Sequence, residues 1–69
     1  MTKEELENLF SHHTPLGDQA TRYRLLRDAG AVFASIILDL TPTCADQSVA
    51  IRKVREAVMT ANAAIACNE

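Results

Sequence analysis

Hydrophobic residues recur at helical spacing in three stretches of the chain, and helix-breaking residues separate these stretches. In the first stretch, Leu6, Leu9 and Phe10 stand at positions i, i+3 and i+4, the spacing of one face of an α-helix. Thr2 and Glu5 precede them at the spacing of a capping box, in which the threonine accepts a hydrogen bond from the start of the helix. The pattern predicts a short N-terminal helix.

The second stretch predicts a longer helix, with Asp18 as its N-cap and its end near Leu40. Its apolar residues form two neighbouring stripes, the first with Tyr23, Leu26, Gly30, Phe33, Ile37 and Leu40, and the second with Leu25, Ala29, Val32 and Ile36. Together the stripes are wider than one partner helix covers.

The break between the second and third stretches is Thr41-Pro42-Thr43, since the residue before a proline is driven out of the α region. A third helix is predicted from about Ala45 to Ala66. Its apolar residues form a near-heptad seam of Ile51, Val54, Val58, Ala61 and Ile65. A neighbouring strip carries alanines seven residues apart, namely Ala50, Ala57 and Ala64.

These elements predict an all-α fold, in which a short N-terminal helix precedes a long antiparallel helical hairpin. With 69 residues the chain is expected to form one domain, residues 1–69. A hairpin of helices about 33 Å long cannot bury two wide apolar faces against itself. We therefore expect a homo-oligomer whose core lies mostly between chains.

Other means of stabilising so small a domain are not expected. Cys44 and Cys67 lie at opposite ends of the predicted third helix, about 30 Å apart, which is too far for a disulfide. His12 and His13 are adjacent and no Cys-x-x-Cys is present, so no metal site is predicted. Reduced cysteines, no signal peptide and no long apolar run predict a cytosolic protein without a membrane partner.

The charge balance excludes one class of partner. Seven Lys and Arg stand against nine Asp and Glu, a net charge of −2, whereas DNA- and RNA-binding domains normally present a basic face. A small anion at a local positive cluster is still compatible with this balance. The short basic run of Arg52, Lys53 and Arg55 is typical of a solvated face.

The loop before the second helix carries most of the candidate chemistry. His12 and His13 are flat polarizable rings. Three arginines follow within a few turns, namely Arg22, Arg24 and Arg27. Rings and guanidinium groups together suit a ligand that has both bases and phosphates. No serine, cysteine or carboxylate pair has a catalytic spacing, so we expect neither an enzyme nor a cofactor.

The arginines of the second helix differ in their local partners. Arg22 has Asp18 four residues before it, the spacing of an ordinary surface ion pair. Arg24 has Asp28 four residues after it. Arg27 has no acid three or four residues away on either side, which is typical of a solvated arginine. Its place on the helix that follows the His12-His13 loop raises the alternative of a phosphate contact.

Two further residues admit more than one interpretation. Tyr23 falls on the apolar stripe, which favours a place in the core over a ligand platform. Asn62 is a polar residue within an alanine-rich helix. It is interpreted either as a hydrogen-bonding residue between subunits or as a contact to the edge of a base.

A family resemblance extends over nearly the whole chain. It rests on Phe10-x-His12-His13-x-Pro15, Gly17-Asp18-Gln19-Ala20-x-Arg22-Tyr23-x-x-Leu26-Arg27-Asp28-Ala29, Pro42, and Glu56-Ala57-Val58-Met59-x-Ala61-Asn62-Ala63-Ala64-Ile65-Ala66. With these elements the chain resembles the phage anti-CBASS cyclic-nucleotide sponges (anti-CBASS protein two). A related helical hairpin occurs in one class of anti-Thoeris sponge.

The resemblance implies a homohexamer that binds host immune cyclic dinucleotides between subunits, with no bond made or broken. His12 stands where these proteins commonly have a base-stacking tyrosine, and Arg27 where a lysine contacts phosphate. His13 keeps the loop histidine, and Pro15 keeps the proline that shapes the loop. Backbone groups from Thr14 through Gly17 are expected to add hydrogen bonds to the ligand.

One departure from the family pattern bears on ligand range. Cys67 stands at a position that is often arginine, in a region implicated in a second, cyclic-trinucleotide pocket, so trinucleotide binding stays open. The preferred bases, the linkage isomer and the number of sites per oligomer stay open as well.

The function implied is that of a phage protein acting in the host bacterial cytoplasm. It would sequester cyclic dinucleotides such as cyclic GMP-AMP and so suppress CBASS immunity. Two alternatives remain open: a sponge for cyclic ADP-ribose-type Thoeris signals, and a helical protein-interaction module with no nucleotide ligand. The candidate ligand-binding residues are His12, His13, Thr14, Pro15, Gly17, Arg24, Arg27 and Asn62.

Overall fold

The computed structural model describes residues 1–69 and consists of three α-helices with no strand. They are α1 (Lys3–Leu9), α2 (Gln19–Leu40) and α3 (Ala45–Asn68). The all-α class predicted from the sequence is confirmed. The third helix extends two residues beyond its predicted end at Ala66.

The start of α1 has the threonine half of the predicted capping box. The backbone N–H of Glu5 donates to Oγ1 of Thr2 at 3.0 Å, which satisfies one of the free donors of the first turn. Glu4 and Glu5 place negative charge at this positive end of the helix dipole.

The start of α2 differs from the prediction in one respect. Asp18 occupies the N-cap position, but its side chain makes no capping hydrogen bond. Its φ and ψ of −87° and 6° lie outside the extended region typical of a side-chain cap, and its Oδ1 instead accepts from Nε of Arg22 at 3.2 Å. Gly17 just before it has a φ of +55°, a conformation that favours glycine.

The close approach of α2 and α3 depends on Gly30. A Cβ atom at this position would lie 2.5 Å from Cγ2 of Val58, so the absence of a side chain lets the two helices meet here. Near the turn, Nε2 of the buried Gln47 donates to the Leu38 and Thr41 carbonyls at 3.2 and 3.1 Å. These bonds satisfy carbonyls that the end of α2 leaves without helical partners.

A single copy of the chain has no apolar core. Gln47 is the only residue that is buried, and no hydrophobic residue is. The molecule measures 44 × 28 × 13 Å, and its smallest dimension is close to the diameter of one helix, about 10–12 Å. The helices therefore form one layer, whereas a domain core normally needs two.

The surface of the chain reflects this flat shape. Its accessible area is 5523 Å², while a folded monomer of this mass exposes about 4,300 Å². Large apolar side chains of α2 are exposed, among them Leu25, Val32, Phe33, Ile36 and Leu38. No helix combines the length and the hydropathy needed to cross a membrane.

Candidate ligand-binding site

The loop between α1 and α2 is tied to both ends of the chain through Asn8. Nε2 of His13 lies 2.8 Å from the Asn8 carbonyl oxygen, and Nδ2 of Asn8 donates to the Cys67 carbonyl at 2.8 Å. Because a carbonyl oxygen only accepts, Nε2 of His13 is the donor, and in the neutral ring Nδ1 is left as an acceptor. Half-buried Cys67 places its Sγ 3.9 Å from the same carbonyl oxygen and from Nε2 of His13.

A second contact joins the start of α2 to the end of α3. Both terminal nitrogens of Arg22 donate to the two carboxylate oxygens of Glu69, one of them at 2.6 Å, and Nε2 of Gln19 donates to the same carboxylate at 3.2 Å. The hydrogen bond from Arg22 and then that from Gln19 lower the pKa of Glu69 from its usual 4.5 to about 2. The same pairing raises the pKa of Arg22.

An open cavity of about 460 Å³ lies at this end of the hairpin. We call it the His–Arg cavity; among its lining residues are His12, His13, Tyr23, Arg27, Asn62 and Ala66. The loop supplies the two imidazole rings, α2 supplies a phenol ring and a guanidinium group, and α3 supplies an amide. The structure thus brings together four of the residues that the sequence singled out.

The other four candidate residues do not line this cavity in a single copy of the chain. Thr14, Pro15 and Gly17 are exposed and form the path of the loop toward α2. Arg24 is exposed and forms no ion pair with Asp28. The predicted pair is therefore not formed, which agrees with the small free energy that exposed helical pairs provide.

Arg27 is the cation of the cavity that no carboxylate neutralises. The two ion pairs of the chain both belong to Arg22, with Asp18 and with Glu69. Arg27 is exposed and has no such partner, as its sequence neighbours indicated. Its guanidinium is therefore free for charge-assisted hydrogen bonds to a phosphate.

Asn62 contributes a polar atom without a partner. Its Oδ1 is buried and accepts no hydrogen bond, a state that costs roughly 1–3 kcal/mol. With Arg27 it also lines a second cavity of about 370 Å³ on the same side of the hairpin. We call this the Arg55 cavity, because Arg55 is its other charged residue.

The opposite side of the hairpin has a different character. An open groove of about 630 Å³ runs there between α2 and α3, and nine of its eleven lining residues are hydrophobic. We call it the apolar groove; Leu26, Phe33, Ile37, Ala50, Ala57 and Ala61 are among the residues that line it. Lys53 is its one charged residue.

Comparison with protein families yields one match over almost the whole chain. The family model described as Acb2/Tad1, hairpin domain, matches residues 2–66. The chain belongs to the Acb2/Tad1 hairpin-domain family. The resemblance found in the sequence motifs is thereby confirmed. Comparison with curated proteins and with solved structures gives no match.

Membership in the Acb2/Tad1 family gives the His–Arg cavity a functional context. The proteins of this family are phage anti-defence sponges that bind small signalling molecules. A cavity with rings, an unpaired cation and an unpaired amide is chemically suited to such a ligand.

Sequence reasoning missed part of the cavity wall in this Acb2/Tad1 hairpin. Tyr23, interpreted as a core residue, is half-buried and lines the cavity, because a single layer of helices offers it no core. Its spacing of four residues from Arg27 was a signal, since such residues share a helix face. Ser11 and Ala63 also line the cavity and carried no signal of their own.

Proposed function

We propose that this protein binds and sequesters host immune cyclic dinucleotides such as cyclic GMP-AMP, and so prevents effector activation in CBASS immunity. It would act in the cytoplasm of the host bacterium. One observation carries the proposal: the His–Arg cavity places two imidazole rings and a phenol ring beside an arginine that no carboxylate neutralises.

The rings suit the bases of the ligand. Each base stacked on an aromatic side chain contributes about 1–3 kcal/mol, whatever its sequence identity. His12 is exposed and free to stack, whereas His13 is held by the Asn8 carbonyl. Tyr23 offers a third ring from the helix side of the cavity.

Arg27 suits the phosphates. A charge-assisted hydrogen bond contributes about 1.5–3 kcal/mol. Arg22, five residues earlier, is unsuited to this role because Asp18 and Glu69 already hold its guanidinium. Arg27 is therefore the cation of α2 that we assign to the ligand.

Self-assembly is the second part of the proposal. We expect the chain to form an antiparallel hairpin that assembles into a homo-oligomer, and the family resemblance implies a homohexamer. The accessible area of the chain is roughly 1,200 Å² larger than that of a folded monomer of this mass. A stable interface buries about 800 Å² per partner. The apolar groove is the side that we assign to contact with a second copy, since only one of its lining residues is charged.

Affinity also favours a site built from more than one copy. A cyclic dinucleotide has two bases and two phosphates, and a two-fold interface offers the same groups to each half. Two stacked bases and two arginine contacts provide roughly 5–12 kcal/mol before losses, while nanomolar binding requires about 12. Backbone groups of the loop from Thr14 to Gly17 are the expected additional contacts.

We propose binding without catalysis, cofactor or metal. Sequestration requires only that the ligand be held, so it should be released intact when the protein is denatured. Mass spectrometry of the small molecules released after incubation with a nucleotide mixture would identify the ligand and would reveal any hydrolysis.

Isothermal titration with cyclic GMP-AMP tests the proposal directly. We expect binding by the unmodified protein and loss of detectable binding for Arg27→Ala. The matched control is Arg52→Ala, which removes the same charge from an exposed residue that lines none of the three cavities. No heat of binding at micromolar protein would reject the proposal, and normal binding by Arg27→Ala would remove that residue from the site.

A cyclic ADP-ribose-type signal is the second candidate ligand, favoured because the family joins the Acb2 and Tad1 hairpins. Such a ligand also combines bases or sugars with phosphates, so the same cavity chemistry applies. Competition between the two ligand classes on one protein sample separates the two candidates.

A further inference from the structure

The His–Arg cavity and the Arg55 cavity are parts of one groove. They share Arg27 on α2 and Asn62 on α3, and both lie on the side of the hairpin opposite the apolar groove. Along α3 the groove extends from Ala66 to Ile51, which is about 22 Å at 1.5 Å per residue. Arg27 therefore lies within the groove and not at its end.

The Arg55 cavity combines an apolar floor with two cations. Ala31, Ala34 and Ile51 are among the small or aliphatic side chains that line it. Arg27 and Arg55 also line it, and neither forms an ion pair. Two like charges beside one cavity without a carboxylate repel each other, and a bound anion would remove that repulsion.

The basic run of α3 is divided between the two sides of the hairpin. All three of its residues are exposed, as expected for a solvated face, and Arg55 also lines the groove. Lys53 lines the apolar groove on the opposite side, and Arg52 lines none of the three cavities. One residue of the run is thus placed beside Arg27.

Asn62 lies where the two cavities meet, and it too lacks a partner within the chain. Its Oδ1 is buried and has no hydrogen-bond partner. Because Asn62 lines both cavities, a ligand that spans them would lie beside its amide. Such a ligand would relieve the cost of the unpaired atom.

We propose that the ligand site continues past Arg27 into the Arg55 cavity, where a nucleotide phosphate lies between Arg27 and Arg55 and the attached base or sugar lies on the apolar floor. This inference rests on the proposed function. It adds Arg55 and Met59 to the residues that contact the ligand.

The first test compares Arg55→Gln with Arg52→Gln, two variants that remove the same charge from neighbouring turns of α3. We expect Arg55→Gln to weaken binding of cyclic GMP-AMP about ten-fold or more, and Arg52→Gln to leave it unchanged. Circular dichroism and sedimentation of each variant establish that fold and assembly are unaltered.

The second test uses the unmodified protein and needs no substitution. The chain contains two methionines, of which Met59 lines the Arg55 cavity and Met1 lines none of the three cavities. With methyl-labelled methionine, saturation with cyclic GMP-AMP should shift the NMR signal of Met59 and leave that of Met1 in place.

The outcomes separate this inference from the proposed function. Binding by the unmodified protein with a stationary Met59 signal, or with equal affinities for the two glutamine variants, would overturn the inference alone. No binding by the unmodified protein would overturn both. A shifted Met59 signal together with a selective loss for Arg55→Gln would establish the longer site.

Discussion

The two sides of the hairpin share one helix contact but have opposite chemistry. Both are built around the approach of Gly30 to Val58, and each presents residues of both long helices. One side carries Arg27, Arg55 and Asn62 without protein partners, and the other is almost wholly hydrophobic. A single layer of helices has no interior, so each of its sides is available to a different partner.

The difference shows how so small a chain can separate two tasks. Unpaired polar groups on one side are suited to a charged ligand, because water or an anion can satisfy them. Apolar groups on the other side are suited to a second copy of the chain, because burial removes them from water. On this basis a substitution on one side should affect one task and spare the other.

The largest expected effect comes from charging the apolar side. Phe33 on the apolar groove and Met59 on the Arg55 cavity are almost equally exposed, at 56% and 57%. Phe33→Glu should dissociate the assembly into single chains in sedimentation experiments, because burial of an unpaired carboxylate is costly.

Met59→Glu is the matched variant on the other side. It should keep the assembly and weaken cyclic GMP-AMP binding, because it places a negative charge beside the proposed phosphate position. If both variants dissociate the assembly, or if neither does, the division of tasks between the two sides is wrong.

A moderate effect is expected where the two sides meet. Gly30→Ala should lower the free energy of unfolding by about 1–2 kcal/mol, since its Cβ would overlap the stiff side chain of Val58. The better helix propensity of alanine offsets about 1 kcal/mol of a larger penalty. Urea unfolding followed by circular dichroism measures the change.

The double variant Gly30→Ala/Val58→Ala supplies the control for that experiment. It removes the overlapping methyl groups and should recover part of the loss. Full stability of Gly30→Ala alone would mean that the helices do not approach each other as closely as described.

The smallest expected effect is the pH dependence of the clamp between Arg22 and Glu69. The pKa of Glu69 is lowered to about 2 in the folded chain, so between its usual 4.5 and this value the unfolded chain binds more protons. The stabilisation by this carboxylate is therefore complete above pH 4.5 and is lost as pH falls toward 2. Because the pair is exposed, the effect should be modest.

Urea unfolding between pH 2 and pH 6 measures this contribution. Glu69→Gln should reduce the slope of stability against pH in that range, while its affinity for nucleotide at neutral pH should stay close to that of the unmodified protein. An unchanged slope would show that the clamp does not form in solution.

Short-range features of the chain were predictable because their causes are local. The spacing of apolar residues determined three helices, Thr2 determined the first cap, and Pro42 placed the break between the long helices. The absence of acids one turn from Arg27 agrees with its unpaired state, although Arg24 is also unpaired with Asp28 one turn away.

Long-range contacts depended on the path of the backbone between the helices. Glu69 reaches Arg22, and Asn8 reaches Cys67, only because the ends of α1 and α3 come together beside the loop. The same packing turned Tyr23 toward a cavity and decided which cavity Arg55 and Lys53 each line. Helical periodicity determines which residues share a face of a helix. The tertiary structure alone decides which residues pack against that face, because the crossing of two helices depends on contacts such as Gly30 with Val58.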